Sequence, residues 1–267
     1  MTAISGDRVA VYRRTIAASP TRIWENVLDW EHLPYLHRTS FSSVDLISNS
    51  ADGWRANVRL TRTENAATSL VDVQLHRDQM YYTTRTLEGA GSGVEILTKL
   101  MPRTDRSTEI EVEFFVPNVP KGIQPRVGEA YTRFYTQLWN EDEAMMVRRQ
   151  AVLDANGSSD PNTAAVRLGR LDQLRTRLPF AVDFAGRRYR IVELDGALIA
   201  FATQCPHLGG PLDESAIEDG VVTCPWHGYR FNLRSRRSCD GRGLWMPSAP
   251  KVRIAESGEV ELLTSDT

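Results

Sequence analysis

The sequence has little of several features that would place it in a specialised class of protein. It contains three cysteines among 267 residues, too few for the disulfide framework of a small secreted domain. It has no run of eighteen apolar residues, so we expect no membrane-spanning helix. Its first fifteen residues lack the basic start and apolar core of a secretory signal. We therefore expect a cytoplasmic protein.

The sequence also lacks a large excess of charge of either sign. Lys and Arg together number 32 and Asp and Glu number 34, which gives a formal net charge of −2. This balance does not indicate nucleic acid or a membrane surface as a general partner. No nicotinamide or flavin fingerprint is present. The glycine-rich residues 88–93 lie between two β-rich segments and do not open a helix, which favours a hairpin turn.

A run of turn-forming residues separates two parts of different texture. Residues 154–163 read DANGSSDPNT and show no apolar periodicity, which is typical of a linker. We predict a first domain over residues 1–153, a linker over 154–165 and a second domain over 166–267. Each domain is long enough to bury its own core.

The first domain mixes strands with two helices. A strand is predicted at residues 9–18, and Ser19-Pro20 then supplies a cap and a first helical residue for a helix over 20–28. Apolar spacing predicts a long helix over 125–153. Alternating polarity predicts six strands between these helices, at 43–47, 54–61, 70–76, 81–87, 94–100 and 109–116. This α+β order resembles the START-type helix-grip fold, in which a sheet wraps the last helix around a cavity.

The second domain reads as short strands with tight turns. The predicted strands are 180–184, 189–194, 197–202, 220–223, 229–232 and 251–254, which indicates an all-β domain.

Two short metal-binding motifs lie within this all-β domain. The first is Cys205-Pro-His207 and the second is Cys224-Pro-Trp-His227, with sixteen residues between them. In a Rieske centre two thiolates hold one iron and two imidazoles hold the other. A Cys₂His₂ zinc site is the alternative, although zinc sites usually pair Cys with Cys and His with His. Cys239 lies outside the motifs.

The flanking residues, LGGPL at 208–212 and PWHGYRF at 225–231, resemble the oxygenase and ferredoxin branch of the Rieske family. Neither loop has the extra disulfide cysteine of respiratory-complex members. We therefore predict that Cys205, His207, Cys224 and His227 bind a Rieske [2Fe–2S] cluster.

A second candidate metal site lies in the first domain. His32 and His37 follow the first helix, and two imidazoles there can take adjacent positions on a metal. Asp142 can supply a carboxylate, because it continues the apolar stripe of the long helix while Glu141 and Glu143 are turned about 100° away. A buried carboxylate needs a partner or a metal. The alternatives are a packing role for the histidines and a surface ion pair between Asp142 and Arg133 or Arg149. The rest of the stripe is Val127, Tyr131, Phe134, Leu138 and Met145.

These residues together resemble the catalytic domain of the Rieske non-haem iron oxygenases, which include ring-hydroxylating enzymes and demethylases. That family carries an N-x-x-D-x-x-H-x₄-H segment, matched here by Asn26, Asp29, His32 and His37, and an aspartate on its last helix, matched by Asp142. The resemblance implies that His32, His37 and Asp142 bind mononuclear Fe(II). It implies that Asp29 is a bridging acid toward a Rieske histidine of a neighbouring subunit. The domain order here is the reverse of the usual one.

The resemblance also implies a function. The chain would be a terminal oxygenase component that hydroxylates or oxidatively dealkylates a mostly apolar organic substrate with O₂. Electrons would come from a separate NAD(P)H-dependent reductase or ferredoxin, and the chain would form a homotrimer. An alternative from another class is a ligand-binding helix-grip domain fused to a Rieske electron carrier without a catalytic metal.

Several aromatic residues of the first domain could line its cavity or belong to its plain core. They are Trp30, Tyr35, Tyr82, Phe114, Tyr131 and Trp139.

Overall fold

The structure, a computed structural model, describes residues 6–61, 68–155 and 164–264. The chain divides into two compact units, with the boundary between Val147 and Arg148. Most of the predicted linker falls on residues 156–163, which lie outside the described residues. Within the described ranges, no helix is both long enough and apolar enough to cross a membrane.

The first unit is built on one antiparallel sheet. Its seven strands are β1 (Asp7–Ile16), β2 (Phe41–Ser50), β3 (Gly53–Leu60), β4 (Ser69–His76), β5 (Tyr81–Glu88), β6 (Glu95–Thr104) and β7 (Ser107–Val116). Their order in the sheet is β1-β7-β6-β5-β4-β3-β2, so neighbours in sequence pair except where β1 closes onto β7. The glycine-rich run joins β5 to β6 as a hairpin turn, as predicted.

Three helices accompany the sheet: α1 (Pro20–Leu28), α2 (Leu33–Leu36) and α3 (Gln124–Ala155). Helix α1 begins where the sequence predicts, because the Ser19 hydroxyl accepts the N–H of Arg22 at 3.3 Å and Pro20 fits the first helical position. A single 3₁₀ turn, Trp30–His32, lies between α1 and α2. Two short helical segments therefore follow α1 before the sheet resumes.

Helix α3 packs closely on the sheet. Trp139 and Met146 of α3 are buried in one core with strand residues, and Tyr135 meets Phe114 of β7 with ring centroids 4.8 Å apart. The helix approaches β1 at Gly128, where an added Cβ would lie 2.4 Å from a backbone oxygen. Glycine is unfavourable inside a helix, so its presence here reflects this close approach. The long helix held against an antiparallel sheet is the predicted helix-grip arrangement.

The second unit consists of short strands in three sheets. The strands are β8 (Ala165–Arg170), β9 (Phe180–Phe184), β10 (Arg187–Leu194), β11 (Ala197–Ala202), β12 (Ile217–Glu218), β13 (Val221–Thr223), β14 (Arg230–Asn232), β15 (Arg237–Ser238), β16 (Lys251–Ile254) and β17 (Glu259–Leu263). The sheets have the orders β11-β10-β9, β12-β13-β14-β15 and β16-β17-β8. One short helix, α4 (Leu171–Arg175), follows β8 and was not predicted. The β-rich character of this domain was predicted, while β8, β12, β15 and β17 are additional strands.

Candidate metal centres

Two loops with the same backbone closure carry the predicted cluster ligands. Cys205 begins a loop after β11: its N–H donates to the carbonyl of Gly210, and the N–H of Gly209 donates back to the carbonyl of Cys205, both at 2.9 Å. Cys224 begins the loop between β13 and β14 and repeats both hydrogen bonds at 2.8 and 2.9 Å, the second from Gly228. Gly209 and Gly228 have φ angles of +83° and +67°, which glycine adopts without steric penalty.

The two thiols are buried and lie next to each other. Cys205 is 3% exposed and Cys224 is 1% exposed. A hydrogen bond between the thiols lowers the pKa of Cys224 to about 5 and raises the pKa of Cys205. Burial opposes the shift at Cys224, whereas His227 and the backbone N–H of Trp226 add to it. Thiols that receive such N–H groups are suited to bind metal as thiolates.

The two imidazoles, one from each loop, lie edge to face. The ring centroids of His207 and His227 are 4.6 Å apart with an interplanar angle of 81°, and Tyr229 stacks on His207 at 4.5 Å. A Cβ added at Gly210 would lie 2.6 Å from the Sγ of Cys224, so only glycine leaves the space beside that sulfur clear. Two thiols, two imidazoles and N–H groups aimed at sulfur fit a Rieske [2Fe–2S] cluster.

The first unit brings together the residues predicted to bind mononuclear iron. His32 ends the 3₁₀ turn after α1, and His37 follows α2, which begins anew with Pro34 in its first turn. These two short segments bury both side chains, which are 3% and 1% exposed. Asp142 lies on α3, and its side chain is 14% exposed. The helix therefore faces the two histidines with its carboxylate.

Three Lewis-basic atoms converge at this point. The Nε2 of His37 lies 3.1 Å from the Oδ1 of Asp142, and the Nε2 of His32 lies 3.4 Å from the same oxygen. The potential ligand atoms of the three residues all lie within 4.8 Å of one another. Two imidazoles and one carboxylate are the donor set of non-haem Fe(II) oxygenases, so the residues fit such an ion. Arg133, a proposed surface partner of Asp142, instead lies 3.7 Å from Glu129.

The electrostatics of the triad favour a positive charge between its members. Burial by itself lowers the pKa of His32, but hydrogen bonds to Asp142 and Asp29 raise it to about 10. Burial has the opposite effect on Asp142 and raises its pKa. The adjacent imidazoles of His37 and His32 outweigh burial and hold the pKa of Asp142 below its usual range. The Nδ2 of Asn26 donates to the Oδ1 of Asp142 at 3.0 Å. A proton or a metal ion would satisfy this arrangement.

Each histidine has a further acid near its other ring nitrogen. The Oε2 of Glu141 lies 2.5 Å from the Nδ1 of His37, and the Oδ2 of Asp29 lies 3.7 Å from the Nδ1 of His32. Glu141 is turned about 100° from Asp142 around the helix, and no role was predicted for it, yet its side chain reaches His37. The sequence offered one sign of this contact: Glu141 is next to Asp142 and has a side chain long enough to reach the same histidine. Glu143, on the other side, accepts the backbone N–H of Ala17 at 2.6 Å.

The triad lines one side of a cavity of about 270 Å³ in the first unit. Four of the aromatic residues predicted to line the cavity do so: Trp30, Tyr82, Tyr131 and Trp139. Of the other two, Tyr35 is exposed and Phe114 is buried in the core. No lysine or arginine is among the described residues that line the cavity. Apart from the triad, Asn26, Asp29 and several hydroxyl groups, the described lining residues are apolar or aromatic.

Comparison with known proteins identifies the second domain. Residues 164–256 match the family of the Rieske [2Fe-2S] domain. The chain therefore contains a Rieske domain, which supports a [2Fe–2S] cluster and implies a role in electron transfer.

Apoptosis-inducing factor 3 of Mus musculus and of Homo sapiens is 35% identical to the chain over 63 residues, which are 24% of this chain. The chain matches about a tenth of the length of these relatives, since the match covers 10% of each. The ferredoxin of carbazole 1,9a-dioxygenase from Nocardioides aromaticivorans IC177 is 24% identical, with a TM-score of 0.34 over 39% of this chain and 100% of that one.

Other solved structures are similar to about half of the chain. A START superfamily protein from Mycobacterium smegmatis is 17% identical, with a TM-score of 0.42 over 51% of this chain and 97% of that one. The seven-stranded sheet order and α3 define a helix-grip, START-like α+β domain. The predicted fold class, such a domain followed by a Rieske β domain, is confirmed.

Proposed function

We propose that the chain is the terminal oxygenase component of a multi-protein oxidation system. The observation that carries this proposal is the convergence of His32, His37 and Asp142 beside an apolar cavity, in a chain that also holds an electron-transfer domain. Two buried imidazoles beside a carboxylate that is only 14% exposed are costly to place in an apolar pocket that only binds ligands. Binding of a redox metal ion by the two imidazoles and the carboxylate would account for their presence there.

His32, His37 and Asp142 would hold a mononuclear Fe(II), which supplies the activation of O₂ when it is bound. The cavity walls exclude bulk water and hold an organic substrate beside the triad. Because no described lining residue is a lysine or an arginine, an uncharged and mostly apolar substrate fits better than an anion. The proposed outcomes are hydroxylation and oxidative dealkylation.

Two further residues support the triad in this proposal. Asn26 fixes the orientation of the Asp142 carboxylate through its 3.0 Å hydrogen bond. Asp29 is proposed to bridge His32 to a Rieske histidine of a neighbouring subunit in a homotrimer. A trimer of this 30.0 kDa chain has a mass of about 90 kDa, and a monomeric mass in solution would contradict the bridge. The proposed electron source is a separate NAD(P)H-dependent reductase or ferredoxin.

The role of Asp29 is tested by Asp29→Asn. The amide keeps the size of the side chain but loses the charge that supports an imidazole, so both metal sites should stay filled while turnover falls by about tenfold or more. Single-turnover reoxidation of the reduced cluster in the presence of substrate and O₂ measures the step directly. Reoxidation at the wild-type rate would show that Asp29 takes no part in electron transfer.

The proposed function is tested by measuring iron and acid-labile sulfide on anaerobically purified protein. About three irons and two sulfides per chain are expected, because two irons belong to the cluster and one to the triad. About two irons and two sulfides, unchanged after ferrous iron is added back, would contradict the oxygenase. That result would favour the ligand-binding domain fused to an electron carrier.

A further inference from the structure

A carboxylate on α3 contacts His37 from the side opposite Asp142. The Oε2 of Glu141 lies 2.5 Å from the Nδ1 of His37, while the Nε2 of the same ring faces Asp142. His37 is almost fully buried, and the Glu141 side chain is 29% exposed. Two successive residues of one helix thus contact the two nitrogens of one imidazole. The two carboxylates contact different nitrogens of the same ring.

The second oxygen of Glu141 is held by its own helix. The Nε2 of Gln137, one turn earlier on α3, lies 3.3 Å from the Oε1 of Glu141 and donates to the Oγ1 of Thr39 at 2.7 Å. Thr39 belongs to the turn that follows His37, where the N–H of Ser40 donates to the His37 carbonyl at 2.7 Å. The carboxylate is therefore fixed between the helix and the segment that carries the histidine.

This arrangement has a defined consequence for the imidazole. A neutral imidazole carries one N–H and one lone pair, and a carboxylate can only accept a hydrogen bond. A hydrogen bond from Nδ1 to Glu141 would use the single N–H of the neutral ring and leave the lone pair of Nε2 for a metal ion held between His37 and Asp142. Carboxylates placed in this way orient metal-binding histidines and increase their basicity.

We propose that Glu141 is a positioning residue, which fixes His37 in the tautomer that binds metal through Nε2. The inference rests on the proposed iron site and adds to it a residue that is not part of the N-x-x-D-x-x-H-x₄-H segment. Glu141 acts through His37 and does not touch the metal. Of the two contacts between a carboxylate and an Nδ1 atom, that of Glu141 with His37 is the shorter, at 2.5 Å against 3.7 Å for Asp29 and His32.

The test compares Glu141→Ala with Glu141→Gln in the full chain with its cluster intact. A chelator removes mononuclear metal, and ferrous iron is then titrated anaerobically by calorimetry. Glu141→Ala should weaken iron binding by about 10- to 100-fold. Glu141→Gln should retain most of the affinity, because the amide carbonyl can accept the same N–H. Glu129→Ala is the matched control, since Glu129 is an exposed acid of the same helix.

A second readout separates positioning from general damage. Co(II) replaces Fe(II), and its EPR signal should change in Glu141→Ala but not in Glu141→Gln or the control. Gln137→Ala keeps the carboxylate but removes its support, so it should give a smaller, several-fold loss even if Glu141→Ala fails to fold.

The outcomes are distinct. Wild-type affinity and signal in both Glu141→Ala and Gln137→Ala would overturn the positioning role and leave the iron site intact. An equal loss in Glu141→Ala and Glu141→Gln would overturn the tautomer argument. A wild-type protein that binds no ferrous iron would overturn the iron site, and the role of Glu141 with it.

Discussion

Changing His37 to alanine should remove one iron from each chain and leave the cluster unchanged. The substitution leaves two of the three proposed ligands, His32 and Asp142. Iron affinity should therefore fall by more than about a hundredfold. The visible spectrum of the cluster should persist, because His37 lies in a different compact unit. Substrate-dependent O₂ consumption should fall to the level of protein stripped of mononuclear iron.

The measurements are iron and sulfide per chain, together with O₂ uptake in the presence of a chemical reductant. His76→Ala is the control, because His76 is a histidine of the same unit that stacks on Tyr81 at the end of β4. It should retain all the iron and the wild-type O₂ uptake. A full complement of iron in His37→Ala would show that the third iron is bound elsewhere.

Changing Cys224 to alanine should abolish the cluster and destabilise the second unit. Cys224 is 1% exposed, and the loop that it begins is tied to Gly228 and Tyr229 by its own backbone. Metal binding to such loops contributes directly to the free energy of folding. In a unit of short strands the loss should amount to about 5 kcal/mol or more, comparable with the stability of a small domain.

Absorbance of the cluster and limited proteolysis of each unit measure this effect. The first unit should resist proteolysis as in the wild type, while the second becomes sensitive. Cys239→Ala is the matched control, since Cys239 is exposed and lies outside the two loops. A cluster that survives in Cys224→Ala would contradict the ligand assignment.

The sequence predicted the long, strongly patterned elements well. Helix α1 matches the predicted residues 20–28, because a serine cap and a proline define its start. Helix α3 extends to within two residues of the predicted bounds at each end. The predictions missed β8 and β17, which pair with each other although about 90 residues separate them. Both strands are short, and the long-range pairing that stabilises them is not visible in a local pattern.

The sequence predicted five residues that meet at the candidate site, but not the contacts of Glu141 and Gln137. The five are Asn26, Asp29, His32, His37 and Asp142. The position of Asp142 follows from helical periodicity, which fixes the direction of a side chain at its base. Periodicity does not say how far a long side chain bends, and so it gave no sign that Glu141 reaches His37. The role of Gln137 was not predicted for a related reason. It contacts Glu141 on its own helix and Thr39 on a turn that is distant in sequence, and the second contact forms only when α3 packs against the segment that carries His37.

The triad and part of the cavity wall are carried by different elements of the first unit. The histidines follow α1, and Asp142 lies on α3, which also contributes the wall residues Tyr131 and Trp139. Many of the other wall residues belong to strands, including Val58, Val71, Val73, Thr84 and Ile96. In the proposed oxygenase, substitutions on these strands would change the shape of the cavity at positions that hold no donor atom of the triad. Substrate selectivity and metal binding would then be separable traits of this scaffold.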